Sequence, residues 1–93
     1  MEFRWNDWNL NKIASHGVPQ SAVEYVLKHA RPPYPVERRD GKFTVWGATE
    51  SGWLLQVVYV ADPDDTVFVI HARPLTETEK HGWRRGRRRR GLR

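Results

Sequence analysis

Residues 42–73 hold three strand-forming stretches joined by short turns. They run at about Lys42–Thr49 (KFTVWGAT), Trp53–Val60 (WLLQVVYV) and Thr66–Arg73. Glu50, Ser51 and Gly52 separate the first two, and the acidic run ADPDD separates the second from the third. Parallel neighbours need a crossover of about a dozen residues or more, so these turns predict an antiparallel meander. Upstream, residues 30–41 (ARPPYPVERRDG) carry three prolines, which exclude a continuous helix or a central strand. Asp40-Gly41 closes that loop with a turn signal.

The remaining segments read as helices and one short strand. Phe3 to Trp5 can form a first strand. Asn6 or Asp7 can cap a helix running to about Ser15 or His16, where Gly17 stops it. Leu10, Ile13 and Ala14 mark its apolar face, with Asn9, Lys12 and His16 as a polar stripe beside it. Pro19 opens a second helix ending near His29, although Ser21 with Glu24 offers a later start; Ala22, Val23, Val26 and Leu27 are its buried stripe. Thr76 with Glu79 is a capping box for a last helix that frays near Gly82 or Gly86. The predicted fold class is α+β: two N-terminal helices packed on an antiparallel sheet of three to four strands, with a C-terminal helix. In the last strand Phe68, Ile70 and Ala72 are expected under the helices, with His71, Arg73, Val67 and Val69 on the other face. The five tryptophans are expected to lie mostly in the core.

Charge divides the chain in two. Residues 84–93 (RRGRRRRGLR) hold seven of the sixteen Lys and Arg and no acid, so residues 1–83 alone carry a net charge of −2. The expected organisation is one domain over 1–83 and a disordered Arg-rich tail over 84–93. Such a block attracts phosphate through counterion release, whatever the nucleic-acid sequence. Without cysteine the chain has neither disulfides nor thiolate metal sites. No apolar run approaches the ~20 residues of a membrane span, and MEFRWNDW lacks the apolar stretch of a signal peptide. These features predict a cytoplasmic location with no membrane partner.

Three groups of residues carry candidate chemistry. Lys12 and His16 stand one helical turn apart. His71 and Arg73 share a strand face next to a helix start, where an anion is favoured. Arg38, Arg39 and Lys42 cluster in the proline loop. Each also has a plain structural reading: a solvated lysine, a histidine at a helix C-terminus, an arginine paired with Glu77 or Glu79, and a solvated loop. Cleaving RNA through its own 2′-hydroxyl needs a base, an acid and a cation on the phosphate, with no metal or cofactor. Lys12, His16, His71 and Arg73 supply those types. Arg38, Arg39, Lys42, Arg84, Arg85, Arg87, Arg88, Arg89 and Arg90 are candidates for holding the RNA backbone, and Trp46, Trp53 or Trp83 can stack on an unpaired base. No His and carboxylate spacing forms a metal site, and no phosphate-binding glycine loop is present.

FRWNDWNLNKIASHGV, KFTVWGATESGWLLQVVYV and VFVIHARPLTETE, taken in order, resemble the BrnT family of bacterial toxins over about residues 3–83. The anchors are the aromatic start, Asn9-x-x-Lys12, His16-Gly17-Val18, Gly47, and Ala72-Arg73 followed by Thr76 and Glu79. The resemblance implies a fold related to RelE toxins. It also implies a metal-independent ribonuclease of a type II toxin–antitoxin system, with an antitoxin protein as partner. Lys12, His16 and Arg73 carry over by matching position. His71 stands where members often have Ser or Thr, Trp83 stands near where many have Tyr, and the Arg-rich tail departs from the pattern. Two other readings are a non-catalytic module that binds nucleic acid or the ribosome through its tail, and a protein-binding domain that uses its open sheet face.

Overall fold

The computed structural model describes the backbone of residues 1–91 and the side chains of residues 1–86. The element order is β1 (Glu2–Arg4), α1 (Asp7–Ala14), α2 (Gln20–Lys28), β2 (Val36–Glu37), β3 (Phe43–Ala48), β4 (Leu54–Ala61), β5 (Thr66–Pro74) and α3 (Glu77–Gly91). The fold is α+β, as expected, but its sheet has five strands in the order β1-β5-β4-β3-β2 and is mixed. β3, β4 and β5 form the predicted antiparallel meander. The two additions lie at the edges. β1 runs parallel to β5, pairing Glu2 with Thr66 and Arg4 with Phe68. The two-residue β2 emerges from the proline loop and opposes Phe43 and Thr44. That pairing follows the prolines instead of containing one, so it keeps both of its backbone donors.

One irregularity sets which side chains face the helices. Val58 pairs with His71 while Tyr59 pairs with Val69, so Ile70 is an extra residue in β5. A bulge of this kind shifts the alternation by one position. Before it, Val67 and Val69 enter the core, and after it Ala72 does; all three are under 7% exposed. The sequence expectation of Phe68 and Ile70 beneath the helices is therefore corrected, because a strict two-residue period cannot cross a bulge. His71 and Arg73 do lie opposite Ala72, in register with Val58 and Gln56.

The core joins Ile13 of α1 and Val23, Val26 and Leu27 of α2 to Val45, Leu55, Val57, Val67, Val69 and Ala72 of the sheet. Its largest fully buried side chains are aliphatic, apart from Asn9, and none of the five tryptophans is buried. The expectation of tryptophans mostly in the core is thus corrected: short branched side chains fill the space between helices and sheet. A Cβ on Gly47 would meet Val26 Cγ1 at 3.1 Å, so glycine there lets α2 sit close to β3. On the opposite face Leu54, Val58 and Leu75 are also buried, so that face is covered where His71 stands.

The helix starts follow the sequence. Asn6 caps α1, its side chain accepting from Asn9 N at 3.1 Å while Asn9 Oδ1 accepts from Asn6 N at 2.7 Å. Thr76 and Glu79 form the same reciprocal pair before α3. At α2 the helix begins after Pro19, and Glu24 instead accepts from Trp5 Nε1 at 2.8 Å. α3 continues through Gly82 and Gly86 to Gly91, so residues 84–91, expected as a disordered tail, extend a helix. Residues 92–93 lie outside the described residues.

Candidate functional site

α1 lies along β5, with Trp8 and Lys12 at i and i+4 on one face and His16 in the turn that follows. Helix and turn meet β5 at two points. At the first, Trp8 stacks on Phe68 with ring centroids 5.9 Å apart, and the Arg4 guanidinium sits 4.0 Å from the centroid of the same Phe68 ring. At the second, just beyond the end of α1, the His16 ring meets His71 edge-on at 5.4 Å between centroids. Gly17, in the left-handed region at φ +71°, ends the helix at this point. Lys12 Nζ lies 5.6 Å from the Trp8 ring, a cation–π distance.

The electrostatics of His71 follow from this crowding. Burial is the main cause that lowers its pKa below the ordinary 6.5, and the charges of His16, Arg73 and Lys12 push it the same way. A further positive charge is unwelcome there, so the neutral form of His71 is favoured. A neutral imidazole offers one acceptor nitrogen, which a general base requires. His16 and Lys12 are solvent-exposed. Lys12, His16 and His71, chosen from the sequence, thus come together although they lie on two elements.

Arg73 has a different environment. Its Nη1 and Nη2 donate to Glu79 Oε1 and Oε2 at 2.7 and 2.8 Å, and Nη1 also donates to the Pro74 carbonyl at 3.0 Å. Glu79 is the same residue that caps α3, accepting from Thr76 N at 2.8 Å. Its pKa is pulled down from 4.5 to about 2, first by the Arg73 hydrogen bonds. The plain structural reading of Arg73 is therefore the geometry seen: its fork joins the end of β5 to the start of α3, and its charge adds to the field at His71.

The remaining sequence candidates are spread out. Arg38 and Arg39 are exposed, and Lys42 pairs with Asp40 at 3.4 Å. This loop precedes Phe43, at the sheet end where Asp62–Asp65 join β4 to β5, whereas Arg73 pairs with Gln56 toward the opposite end. Arg84 and Arg85 are exposed on α3, and the side chains of Arg87, Arg88, Arg89 and Arg90 lie outside the described residues. Sequence reasoning missed Trp8 and Phe68. The signal was present for Trp8 in its spacing of four from Lys12, but Phe68 was assigned to the core on the uninterrupted strand period.

No protein-family model matches this chain, and neither the curated proteins nor the solved structures contain a significant match.

Proposed function

We propose that the protein is a metal-independent endoribonuclease of the BrnT toxin type, acting through the histidine pair. The observation that carries this reading is the contact of His16 with His71 at 5.4 Å, with Lys12 and Arg73 close enough to disfavour charge on His71. His71, half-buried and neutral, takes the proton of a ribose 2′-hydroxyl. The 2′-oxygen attacks the adjacent phosphorus, the bond from phosphorus to the 5′-oxygen breaks, and His16 gives that oxygen its proton. The products are a 2′,3′-cyclic phosphate and a 5′-hydroxyl. The two rings meet edge-on, so this reading requires the exposed His16 side chain to move aside for the phosphodiester. Lys12 neutralises the phosphate as a mobile point charge. Arg73 is a positioning residue that holds β5 to α3 and adds positive charge behind His71. Arg38, Arg39, Lys42 and the arginines of α3 attract the RNA backbone.

This reading includes an antitoxin protein as partner and a cytoplasmic setting. Its test is cleavage of single-stranded RNA by the full chain in the presence of a chelator, with analysis of the ends formed. The expected result is a cyclic phosphate at the break and no cleavage of an oligonucleotide lacking the 2′-hydroxyl. Equal cleavage of that oligonucleotide would overturn it. The second reading, a binding module without catalysis, is favoured by one observation: α3 carries the arginine run on a continuous helix. RNA binding without any cleavage would select it.

A further inference from the structure

A groove of about 520 Å³ opens where α2 ends, bounded by Tyr25, His29, Arg31, Tyr34, Trp46 and Trp83. Its volume falls within the ~300–1,000 Å³ usual for small-molecule sites. The rings form two stacked pairs. Tyr34 and Trp46 stand 6.3 Å apart between centroids at 29°, and Tyr25 and His29 stand 4.0 Å apart at 21°. Trp46 Nε1 donates to Gln56 Oε1 at 3.0 Å, which fixes the plane of the indole. His29 Nδ1 lies 2.8 Å from the Tyr25 carbonyl oxygen. A carbonyl only accepts, so Nδ1 is the donor of that bond. Arg31, exposed at the rim, adds a permanent positive charge, and no carboxylate lines the groove among the described residues. β2 covers β3 only at Phe43 and Thr44, so the edge from Trp46 to Ala48 carries no further strand among the described residues.

We propose that this groove binds a single nucleotide, with its base stacked against the Trp46 and Tyr34 rings and its phosphate at Arg31. Aromatic faces accept any base, and a neighbouring cation selects one that carries phosphate. The sheet register connects the groove to the histidine pair. Trp46, Gln56 and Arg73 form one cross-strand row, which puts the backbones of Trp46 and Arg73 about 10 Å apart at ordinary strand spacing. An RNA with one base in the groove then has a neighbouring phosphodiester within reach of His71. This second statement rests on the ribonuclease reading; nucleotide binding itself does not.

The experiment is a titration of the isotope-labelled full chain, followed through amide and indole resonances. Uridine 5′-monophosphate and adenosine 5′-monophosphate are compared with inorganic phosphate and O-phosphotyrosine. The nucleotides should shift the Trp46 indole and the amides of His29, Ala30, Arg31 and Tyr34 saturably at millimolar concentration. Inorganic phosphate should leave the indole unmoved, and phosphotyrosine should bind more weakly. Tyr34→Leu should weaken nucleotide binding about tenfold, within the range for one stacked base. Arg31→Ala, on an exposed side chain that packing does not require, should weaken the nucleotides and not the free nucleosides. The proposal is overturned if the indole does not respond, if phosphate or phosphotyrosine binds as tightly as the nucleotides, or if Arg31→Ala changes nothing. His16→Ala should keep the nucleotide affinity. Nucleotide binding in a protein that cleaves no RNA would remove the ribonuclease reading and leave the groove as a nucleotide site.

Discussion

At the scale of single residues, Arg73 and His71 stand side by side for different reasons. Arg73 has both ends of its fork on Glu79. Arg73→Ala should therefore cost roughly 1–2 kcal/mol of stability, between an exposed pair and a well-bonded charged one. Glu79→Gln should cost a similar amount, which urea unfolding of the two variants and their double mutant can establish. The carboxylates add a pH dependence. Glu79 and Asp62 are both held at about 2, the latter chiefly by its hydrogen bond from Arg4. Folded values below the ordinary ones of 4.5 and 3.8 mean that the folded state binds fewer protons. Their contribution is complete above about pH 4.5 and is lost as pH falls toward about 2. Thermal melts across that range should show a steeper loss in the parent than in Glu79→Gln. His71 works in the same direction at higher pH. Its lowered value keeps it neutral below the pH at which an ordinary histidine charges, so the acid limb of a cleavage profile should lie below pH 6.5.

At the scale of elements, the sequence was most informative where one local rule decides the outcome. The Asn6 and Thr76 caps, the glycine stop at Gly17 and the turn containing Gly52 all depend on neighbours a few residues away. The meander was legible because its turns allow nothing longer. What was not legible depends on distant partners. Phe3 to Trp5 reads as a strand, but its parallel pairing with β5 does not, and β2 becomes a strand only because β3 offers it an edge. The bulge at Ile70 leaves no mark in composition, and missing it moved Val67, Val69 and Phe68 to the wrong faces. Lys12, His16 and His71 were legible as three residue types, and only the packing of α1 along β5 brings them together. The bulge has a direct test. Val69→Asp puts an unpaired charge in a fully buried position and should prevent folding, whereas Ile70→Asp should leave a folded protein. Circular dichroism of both variants distinguishes this arrangement from an unbulged strand, in which Ile70 would be the intolerant position.

At the scale of the whole molecule, the basic excess and the histidine pair are separated in sequence. The body carries the histidine pair, and the basic excess belongs to residues 84–93. Those residues extend α3 as far as Gly91, so the charge is presented on a helix rather than a loose chain. Among the described residues no helix is long and apolar enough to cross a membrane. Deleting residues 84–93 removes seven positive charges, so RNA binding should weaken. Its salt dependence should flatten by about 0.7 in logarithmic slope for each phosphate that the shortened chain no longer neutralises. Affinity measured at several salt concentrations checks this, and cleavage of saturating RNA should be little changed if the reaction belongs to the body.

The central claim is that His16 and His71 act together on one phosphodiester. The most direct measurement is single-turnover RNA cleavage by the parent, His16→Ala, His71→Ala and the double variant, each first shown to be folded by its thermal transition. Each single substitution should lower the rate by about 10²–10⁴, the usual contribution of a positioned acid or base. The double variant should be scarcely slower than the worse single one, because two groups serving one transition state do not contribute independently. Folded single variants that cleave as fast as the parent would contradict the claim.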